Sequence, residues 1–168
     1  LLIAASVGLF PLPRRTQLLR RSPGGGVHVV AANLDVLFVV AAVDPPSKAG
    51  LVDRAAGAAR AAGVEPVLVI NKADLPDEAG VIDALTARAA GDVPVIVASA
   101  RSGRGLDEIA AILKARGRGA FVGPSGVGKS SLLNALVPAL ALETRTLSQA
   151  TGAGRHTTTA STLVKLDG

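Results

Sequence analysis

The most informative stretch of the sequence is Gly123-Pro-Ser-Gly-Val-Gly-Lys-Ser130, because it matches the phosphate-binding pattern G-x-x-x-x-G-K-[ST]. In such a loop, glycines allow successive backbone N–H groups to turn towards a chain of phosphates. Lys129 would place a positive charge beside the β and γ phosphates, and the Ser130 hydroxyl would ligate Mg²⁺. The simpler alternative is a glycine-rich turn that binds nothing. The residues predicted to contact the nucleotide here are Gly123, Pro124, Ser125, Gly126, Val127, Gly128, Lys129, Ser130 and Ser131.

Outward from this loop, short apolar strands alternate with helices along the chain. The predicted strands are Val27–Ala32, Val36–Val43, Val67–Ile70, Val93–Ala98, Ala120–Val122 and Thr158–Leu166, with a mobile loop at 138–157 before the last. The predicted helices are Leu51–Ala62, Asp77–Ala90, Leu106–Arg116 and Lys129–Leu136. This alternation predicts an α/β fold with a mostly parallel sheet and helices on both faces. Ligands of such sheets bind at the carboxyl ends of the strands.

A second polar loop, Asn71-Lys-Ala-Asp74, follows the predicted strand Val67–Ile70. The carboxylate of Asp74 can accept hydrogen bonds from N1–H and the exocyclic amino group of guanine, whereas adenine lacks both donors on that edge. Asn71 can bridge the base and the loop, and the aliphatic stem of Lys72 can cover the face of the base. The pattern therefore predicts a guanine site. The alternative is a loop in which Asp74 caps a helix.

A third loop, Ser99-Ala100, follows the next predicted strand, and a backbone N–H there could donate to guanine O6. Taken alone, this dipeptide is more typical of a plain turn. Its position one crossover unit after residues 71–74 is what a guanine-binding fold requires. In ordinary GTPases the phosphate loop comes first in the chain, whereas here both base loops precede residues 123–130. The order therefore predicts a circularly permuted GTPase.

A fourth region, Gly152–Thr159, has the position of a switch loop and contains three consecutive threonines. The residues do not decide which of Thr157–Thr159 meets the metal, and we take Thr158 as the Mg²⁺ contact. His156 could orient or deprotonate the attacking water, so we take it as the catalytic residue. The alternative is that His156 is an exposed loop residue. His28 has no visible partners and is expected to have no function.

Composition excludes several classes of protein. The chain has 168 residues and no cysteine, so disulfides and thiolate metal clusters are excluded, and its net charge of +5 is compatible with a polyanionic partner. The apolar run Val36–Val43 is far shorter than the roughly 20 residues that cross a bilayer, so we expect a soluble, cytoplasmic protein with no membrane partner. Leu1–Pro13 is apolar and is interpreted as a core strand at the edge of a fragment.

Together these motifs make the chain resemble the ribosome small-subunit-dependent GTPases called RsgA. The matching stretches are Pro13-Arg-Arg-Thr16 with Leu19-Arg20, Ala31-Ala-Asn-Leu-Asp35, Asn71-Lys-Ala-Asp74, Gly123 to Asn134, and Gly154-Arg-His-Thr-Thr-Thr159. The resemblance covers about residues 12–168. It implies GTP and Mg²⁺ as ligands, a role in late maturation of the 30S subunit, and 16S rRNA as the partner of a monomeric protein. It also favours His156 as catalytic, because these enzymes lack the usual glutamine.

The resemblance further implies three parts, which are an RNA-binding OB-fold barrel, a permuted GTPase domain and a zinc-binding domain. Residues 1–32 would be the end of the barrel, and residues 33–168 would be the GTPase domain. Four arginines of the barrel would contact rRNA phosphates, although without the resemblance they read equally well as a solvated basic strand. These are Arg14, Arg15, Arg20 and Arg21.

The sequence ends at Asp167-Gly168, where the family continues into a D-x-P-G loop and then the zinc domain. Zinc is therefore expected only outside this sequence, and we expect hydrolysis to require the longer parent chain. Two other functions stay open. One is an RNA-binding assembly factor that uses GTP mainly as a conformational ligand and hydrolyses little. The other is a P-loop ATPase, against which the Asn71–Asp74 motif argues.

Overall fold

The structure is a computed structural model that describes residues 2–5, 8–11, 13–22, 24–47, 50–89 and 93–138, the first two ranges as backbone only. The predicted strand Thr158–Leu166, the loop beyond residue 138, His156 and Thr158 lie outside the described residues. The strands are β1 Leu2–Ala5, β2 Gly8–Pro11, β3 Gln17–Arg21, β4 Val27–Ala32, β5 Val36–Ala42, β6 Glu65–Asn71, β7 Val95–Val97 and β8 Gly119–Val122. The helices are α1 Leu51–Ala61, α2 Val81–Ala89, α3 Leu106–Arg116 and α4 Lys129–Leu136.

A four-stranded parallel sheet in the order β7-β6-β5-β8 forms the centre of the fold. Strand β5 lies inside the sheet, with Val39 opposite Leu68 on one side and Val122 on the other. All seven of its residues are buried, as expected of a β-branched, apolar strand covered on both faces. The predicted α/β class and parallel sheet are confirmed.

Alternate residues of β5 pack against helices on opposite faces of the sheet. Phe38 and its neighbours on one face join Ile109 of α3 and Leu132 of α4, and the Phe38 ring stacks on Phe121 with centroids 4.7 Å apart. On the other face, residues such as Ala41 pack against α1 and α2. The prediction of helices on both faces is therefore confirmed, and each face buries an apolar cluster that stabilises the sheet.

Strands β3 and β4 form a separate antiparallel hairpin with a register shift between Leu18 and Leu19. Leu18 is buried against Leu34, which anchors the hairpin to the parallel sheet. Asn33, directly after β4, is linked to the segment before β3 by two hydrogen bonds. Its side chain donates to the Pro13 carbonyl at 3.1 Å and accepts from the backbone N–H of Arg15 at 2.7 Å. The four arginines predicted to contact RNA are all exposed on or beside this hairpin.

Several element boundaries differ from the sequence prediction. The segment Leu1–Pro13, interpreted as one core strand, contains two antiparallel strands in which Leu2 lies opposite Pro11, because a continuous apolar run does not reveal a reversal. Helix α2 begins at Val81 and not at Asp77, whose carboxylate instead accepts hydrogen bonds from the N–H groups of Val81 and Ile82. Strand β7 covers only the centre of the predicted strand 93–98.

Among the described helices, none is both long and apolar enough to traverse a lipid bilayer. The described residues also contain no cluster of three or more His, Cys, Asp or Glu side chains that could hold a metal.

Candidate functional site

The predicted loops meet at one edge of the parallel sheet. Residues 71–74 follow β6, residues 99–100 follow β7, and residues 123–130 follow β8, so parallel strands bring all three to the carboxyl edge. An open cleft of about 370 Å³ lies between them. The cleft is lined by Asn71, Lys72, Asp74, Leu75, Ala100, Arg101, Gly128 and Ser131. Residues predicted to contact the base thus share a cleft with residues of the phosphate loop and its helix.

The phosphate loop has the backbone that its glycines permit. Gly126 and Gly128 have φ of 86° and 89°, which are left-handed values that side chains disfavour. A Cβ at Gly123 would collide with the carbonyl oxygen of Val40, and one at Gly128 would collide with the amide of Asn71. None of the backbone N–H groups of residues 126–131 donates to another described residue. These N–H groups, at the N-terminus of α4, are available to an anion.

Lys129 lies within the same loop. Its side chain is half-buried, and its Nζ donates to the carbonyl oxygens of Gly123 at 2.9 Å and Pro124 at 2.6 Å. Burial lowers the pKa of the Lys129 ammonium, because desolvation disfavours the charged form. The Lys129 ammonium therefore donates to two neutral carbonyl acceptors in the loop. A phosphate oxygen is negatively charged, so it would accept a stronger hydrogen bond from the ammonium than either carbonyl does.

The other predicted phosphate-loop residues divide between packing and exposure. Val127 is fully buried in the apolar cluster of α3 and α4, which fixes the loop to the core. Ser125 is exposed at the tip of the loop, and Ser130 and Ser131 are half-buried in the first turn of α4. The Ser130 hydroxyl is thus placed in the first turn of α4, immediately after Lys129.

Asn71 connects the three loops. It is 1% exposed, and its Nδ2 donates to the Val127 carbonyl at 2.9 Å while its Oδ1 accepts from the Ala100 N–H at 3.2 Å. Sequence reasoning expected Asn71 to bridge a base and a loop, whereas here it bridges two loops. The next residue, Lys72, has a left-handed φ of 64°, which is uncommon outside glycine and typical of functional loops.

Asp74 and Ser99 form a second link between the base loops. The Ser99 hydroxyl donates to Asp74 Oδ1 at 2.6 Å. That bond holds the pKa of the Asp74 carboxyl below its ordinary value, against a smaller opposing effect of desolvation, and the charges of Arg101 and Lys72 lower it further. Among the described residues, the buried polar side chains are those of Asn71 and Ser99. Because burying polar groups is costly without partners, their place in this site indicates a functional constraint.

The backbone N–H groups of the Ser99-Ala100 loop already have acceptors. Ser99 N–H donates to the Arg104 carbonyl at 2.9 Å, and Ala100 N–H donates to Asn71. A guanine O6 at Ala100 would therefore share a donor with Asn71, which the sequence did not indicate. Sequence reasoning also missed Arg101, although its position directly after Ser99-Ala100 and its positive charge could have pointed to it.

The Ser99 contact gives a testable pH dependence. Because the folded-state pKa of Asp74 is lowered, its carboxylate stays ionised as pH falls from neutral. It becomes protonated only at a pH below its ordinary pKa. In Ser99→Ala the pKa returns towards the ordinary value, so guanine-nucleotide affinity should begin to fall at higher pH than in the parent. The variant should also lose about 1 kcal/mol of stability, because the partly buried N–H groups of Arg101 and Ser102 lose their acceptor.

Nucleotide affinity measured across an acid titration tests this expectation, with urea unfolding for stability. Ser102→Ala in the same loop is the matched control, since Ser102 is exposed and does not contact Asp74. If the affinity of Ser99→Ala fell at the same acidic pH as that of the unsubstituted protein, the role assigned to the Ser99 hydroxyl would be contradicted.

Comparison with known proteins places this arrangement in a family. The family model described as RsgA GTPase matches residues 11–168. The chain belongs to the RsgA GTPase family. Curated RsgA proteins named "Small ribosomal subunit biogenesis GTPase RsgA" are similar, at 44% identity over 161 residues in Pseudomonas fluorescens and 45% over 161 residues in Pseudomonas aeruginosa. The matches cover 94% of this chain and 46% and 47% of those proteins.

Two solved structures share the fold. YjeQ from Thermotoga maritima matches with a TM-score of 0.65 at 35% identity, over 80% of this chain and 47% of that one. YloQ, described as a circularly permuted GTPase, matches with a TM-score of 0.54 at 26% identity, over 83% and 48%. The prediction of a circularly permuted GTPase fold is therefore confirmed. The chain spans about half the length of the curated RsgA proteins it matches.

Proposed function

We propose that the protein binds GTP in the cleft at the carboxyl edge of the sheet and, with Mg²⁺, hydrolyses it to GDP and phosphate. The observation that carries the proposal is the pair of hydrogen bonds made by Asn71. Because one buried amide contacts both Val127 of the phosphate loop and Ala100 of a base loop, a single nucleotide can reach Asp74 and Lys129 together. If the base loops and the phosphate loop lined separate cavities, a single nucleotide could not contact both Asp74 and Lys129.

The described residues support each part of this function except the attack of water. Asp74 is ionised and able to accept two hydrogen bonds from guanine. The N–H groups of residues 126–131, which have no acceptor among the described residues, and the Lys129 ammonium would stabilise the charge that develops on the phosphates. His156 remains our proposal for the residue that orients or deprotonates the water, and it lies outside the described residues.

The Mg²⁺ ion fits the chemistry of the donors at this site. The Ser130 hydroxyl follows Lys129 in the first turn of α4, and a hard cation prefers such oxygen donors together with phosphate oxygens. We propose that Ser130 holds the ion, with Thr158 as a second contact from outside the described residues. When bound there, the ion would supply positive charge that offsets the negative charge developing on the phosphates.

We propose further that the protein acts in late maturation of the small ribosomal subunit, as the names of its curated relatives suggest. The exposed arginines at 14, 15, 20 and 21 would contact rRNA phosphates, and such contacts weaken as salt rises. A cytoplasmic location follows from that partner. The division into a barrel end at 1–32 and a GTPase domain at 33–168, and the monomeric state, remain predictions.

Competition between nucleotides tests the proposed function most directly. A fluorescent guanine nucleotide bound to the intact protein should be displaced by GTP and not by ATP at the same concentration, because adenine offers no donors to the Asp74 carboxylate. Phosphate release should then be faster when small ribosomal subunits are added. Tighter binding of ATP would identify the protein as a P-loop ATPase and end the proposal.

A further inference from the structure

A second cavity lies at the edge of the parallel sheet opposite the nucleotide cleft. It has a volume of about 410 Å³ and opens to solvent. Its walls come from residues 15–16 before β3, the connection 33–35 that leads into β5, Gly63 before β6 and residues 115–116 at the end of α3. The cavity therefore lies between the hairpin that carries the exposed arginines and the amino edge of the sheet, and it takes no part in the proposed GTP site.

Arg15 contributes an unpaired positive charge to this cavity. Its side chain is exposed and forms no hydrogen bond or salt bridge with the described residues. Its main chain, in contrast, is fixed, because the Arg15 N–H donates to Asn33 Oδ1 at 2.7 Å. The guanidinium is thus available to a ligand at a defined place in the cavity wall.

Asp35 contributes a negative charge with a spare acceptor. Its Oδ2 accepts from the backbone N–H and the Nε of Arg118 at 3.0 and 3.1 Å, whereas its Oδ1 accepts no hydrogen bond from the described residues. Burial acts to raise the pKa of Asp35, but the hydrogen bonds from Arg118 and the charges of Arg118 and Arg15 together lower it. An ionised carboxylate with an unused acceptor therefore lines the same cavity as a guanidinium with unused donors.

This mixture of charges disfavours a simple ion as the ligand. A lone phosphate beside Arg15 would be repelled by the Asp35 carboxylate, and a metal cation would be repelled by the guanidinium groups of Arg15, Arg116 and Arg118. Arg116 is itself paired with Glu65 at 2.8 Å. A neutral group that presents a hydrogen-bond donor next to an acceptor matches the unused groups of Arg15 and Asp35 better than an ion of either sign.

A nucleobase has such an edge and also fits the shape of the cavity. Cytosine, for example, offers its amino group to a carboxylate and its ring N3 to a guanidinium. Leu34 provides an apolar contact for the ring, and Gly63 and Ala115 place no long side chain in the space. Unpaired bases are the part of RNA whose edges proteins read, because they can leave the stack and enter a pocket.

We propose that this cavity binds an unpaired base of an RNA strand whose phosphates lie along the arginines of the hairpin. Arg15 and Asp35 contact the edge of the base, while Arg14, Arg20 and Arg21 contact the backbone without regard to sequence. The inference rests on the proposed RNA partner, and it adds a site for a base to a surface that was otherwise assigned only phosphate contacts.

The first test compares two adjacent arginines in the intact protein, with two RNA strands of equal charge as probes. Arg15→Ala should weaken binding of an eight-nucleotide oligocytidylate by roughly 5- to 100-fold, the range for hydrogen bonds that read a base edge. It should weaken an abasic strand of the same length only as much as Arg14→Ala does, because Arg14 is exposed and does not line the cavity. Equal weakening of both strands by Arg15→Ala would overturn the proposal in favour of a phosphate contact.

A second variant tests the location without changing any charge. Ala115→Leu places a larger side chain in the cavity, so it should weaken oligocytidylate and leave the abasic strand and the GTP affinity unchanged. Ala111→Leu, one turn earlier in α3, is the matched control, because Ala111 is also exposed but does not line the cavity. If Ala115→Leu bound oligocytidylate as tightly as Ala111→Leu does, the base would not occupy this cavity.

Two further results distinguish the source of the base and the fate of the proposed function. Cytidine monophosphate should bind far more weakly than oligocytidylate, because it lacks the phosphates that contact the hairpin. Equal affinity would overturn the proposal in favour of a site for a free nucleotide. Failure of the unsubstituted protein to bind either strand would reject the RNA partner and this inference with it, whereas GTP binding, measured separately, would decide the proposed GTPase function.

Discussion

Lys129→Ala should lower the affinity for GTP by roughly two to three powers of ten, the loss expected when charge-assisted hydrogen bonds to more than one phosphate disappear. In the structure Lys129 Nζ lies between the Gly123 and Pro124 carbonyls, so it is already positioned inside the loop before a phosphate arrives. Its half-burial removes part of the hydration that would otherwise compete with the ligand.

Titration calorimetry with GTP and GDP measures this loss, and Lys114→Ala, which removes an exposed lysine from α3, is the control for net charge. Lys129→Arg should not restore binding, because a planar fork does not match the space between two loop carbonyls that an ammonium fills. The free energy of unfolding should change much less than the affinity. An affinity within threefold of the parent protein would show that residues 123–130 do not hold the phosphates.

Local sequence patterns predicted the phosphate loop and the sheet because their physical causes are local. Glycines at 126 and 128 permit left-handed backbone, and the apolar, valine-rich run Val36–Val40 is typical of a strand buried on both faces. Because the strands are parallel, the loops that follow them must lie at the same edge of the sheet, and no knowledge of side-chain contacts is needed to predict this. These causes act over a few residues, so a single sequence reveals them.

The contacts that assemble the cleft could not be predicted, because they join distant parts of the chain. The Asn71 amide meets the Val127 carbonyl 56 residues away, and a backbone acceptor has no signature in sequence. The bounds of strand β3 could not be predicted, because the arginines fitted a solvated basic strand of unknown extent and the pairing of Gln17–Arg21 with Val27–Ala32 has no signature in the sequence. The position of Arg101 near Asp74 was missed because it depends on the Ser99 hydroxyl, which accepts from the Arg101 N–H and donates to Asp74.

Asp74→Asn should change which base the protein binds. The Asp74 carboxylate offers acceptors to both N1–H and the amino group of guanine, whereas an asparagine keeps one acceptor and presents an NH₂ group to the guanine amino group. We expect GTP affinity to fall by roughly two to four powers of ten, the scale on which a polar site rejects a mismatched edge. Xanthosine triphosphate has an oxygen in place of that amino group, so it should bind the variant better than GTP.

The structure indicates that Asp74→Asn changes base recognition without disturbing the fold. The Ser99 hydroxyl that donates to Asp74 Oδ1 can donate equally to an asparagine Oδ1, so the link between the two base loops is retained. Asp83→Asn, in an exposed position of α2, serves as the control for loss of a carboxylate. Competition of GTP, xanthosine triphosphate and ATP for the variant measures the preference. If the variant still bound GTP more tightly than xanthosine triphosphate, Asp74 would not contact the edge of the purine. The cleft between the loops that Asn71 connects would then have to bind its ligand in another orientation.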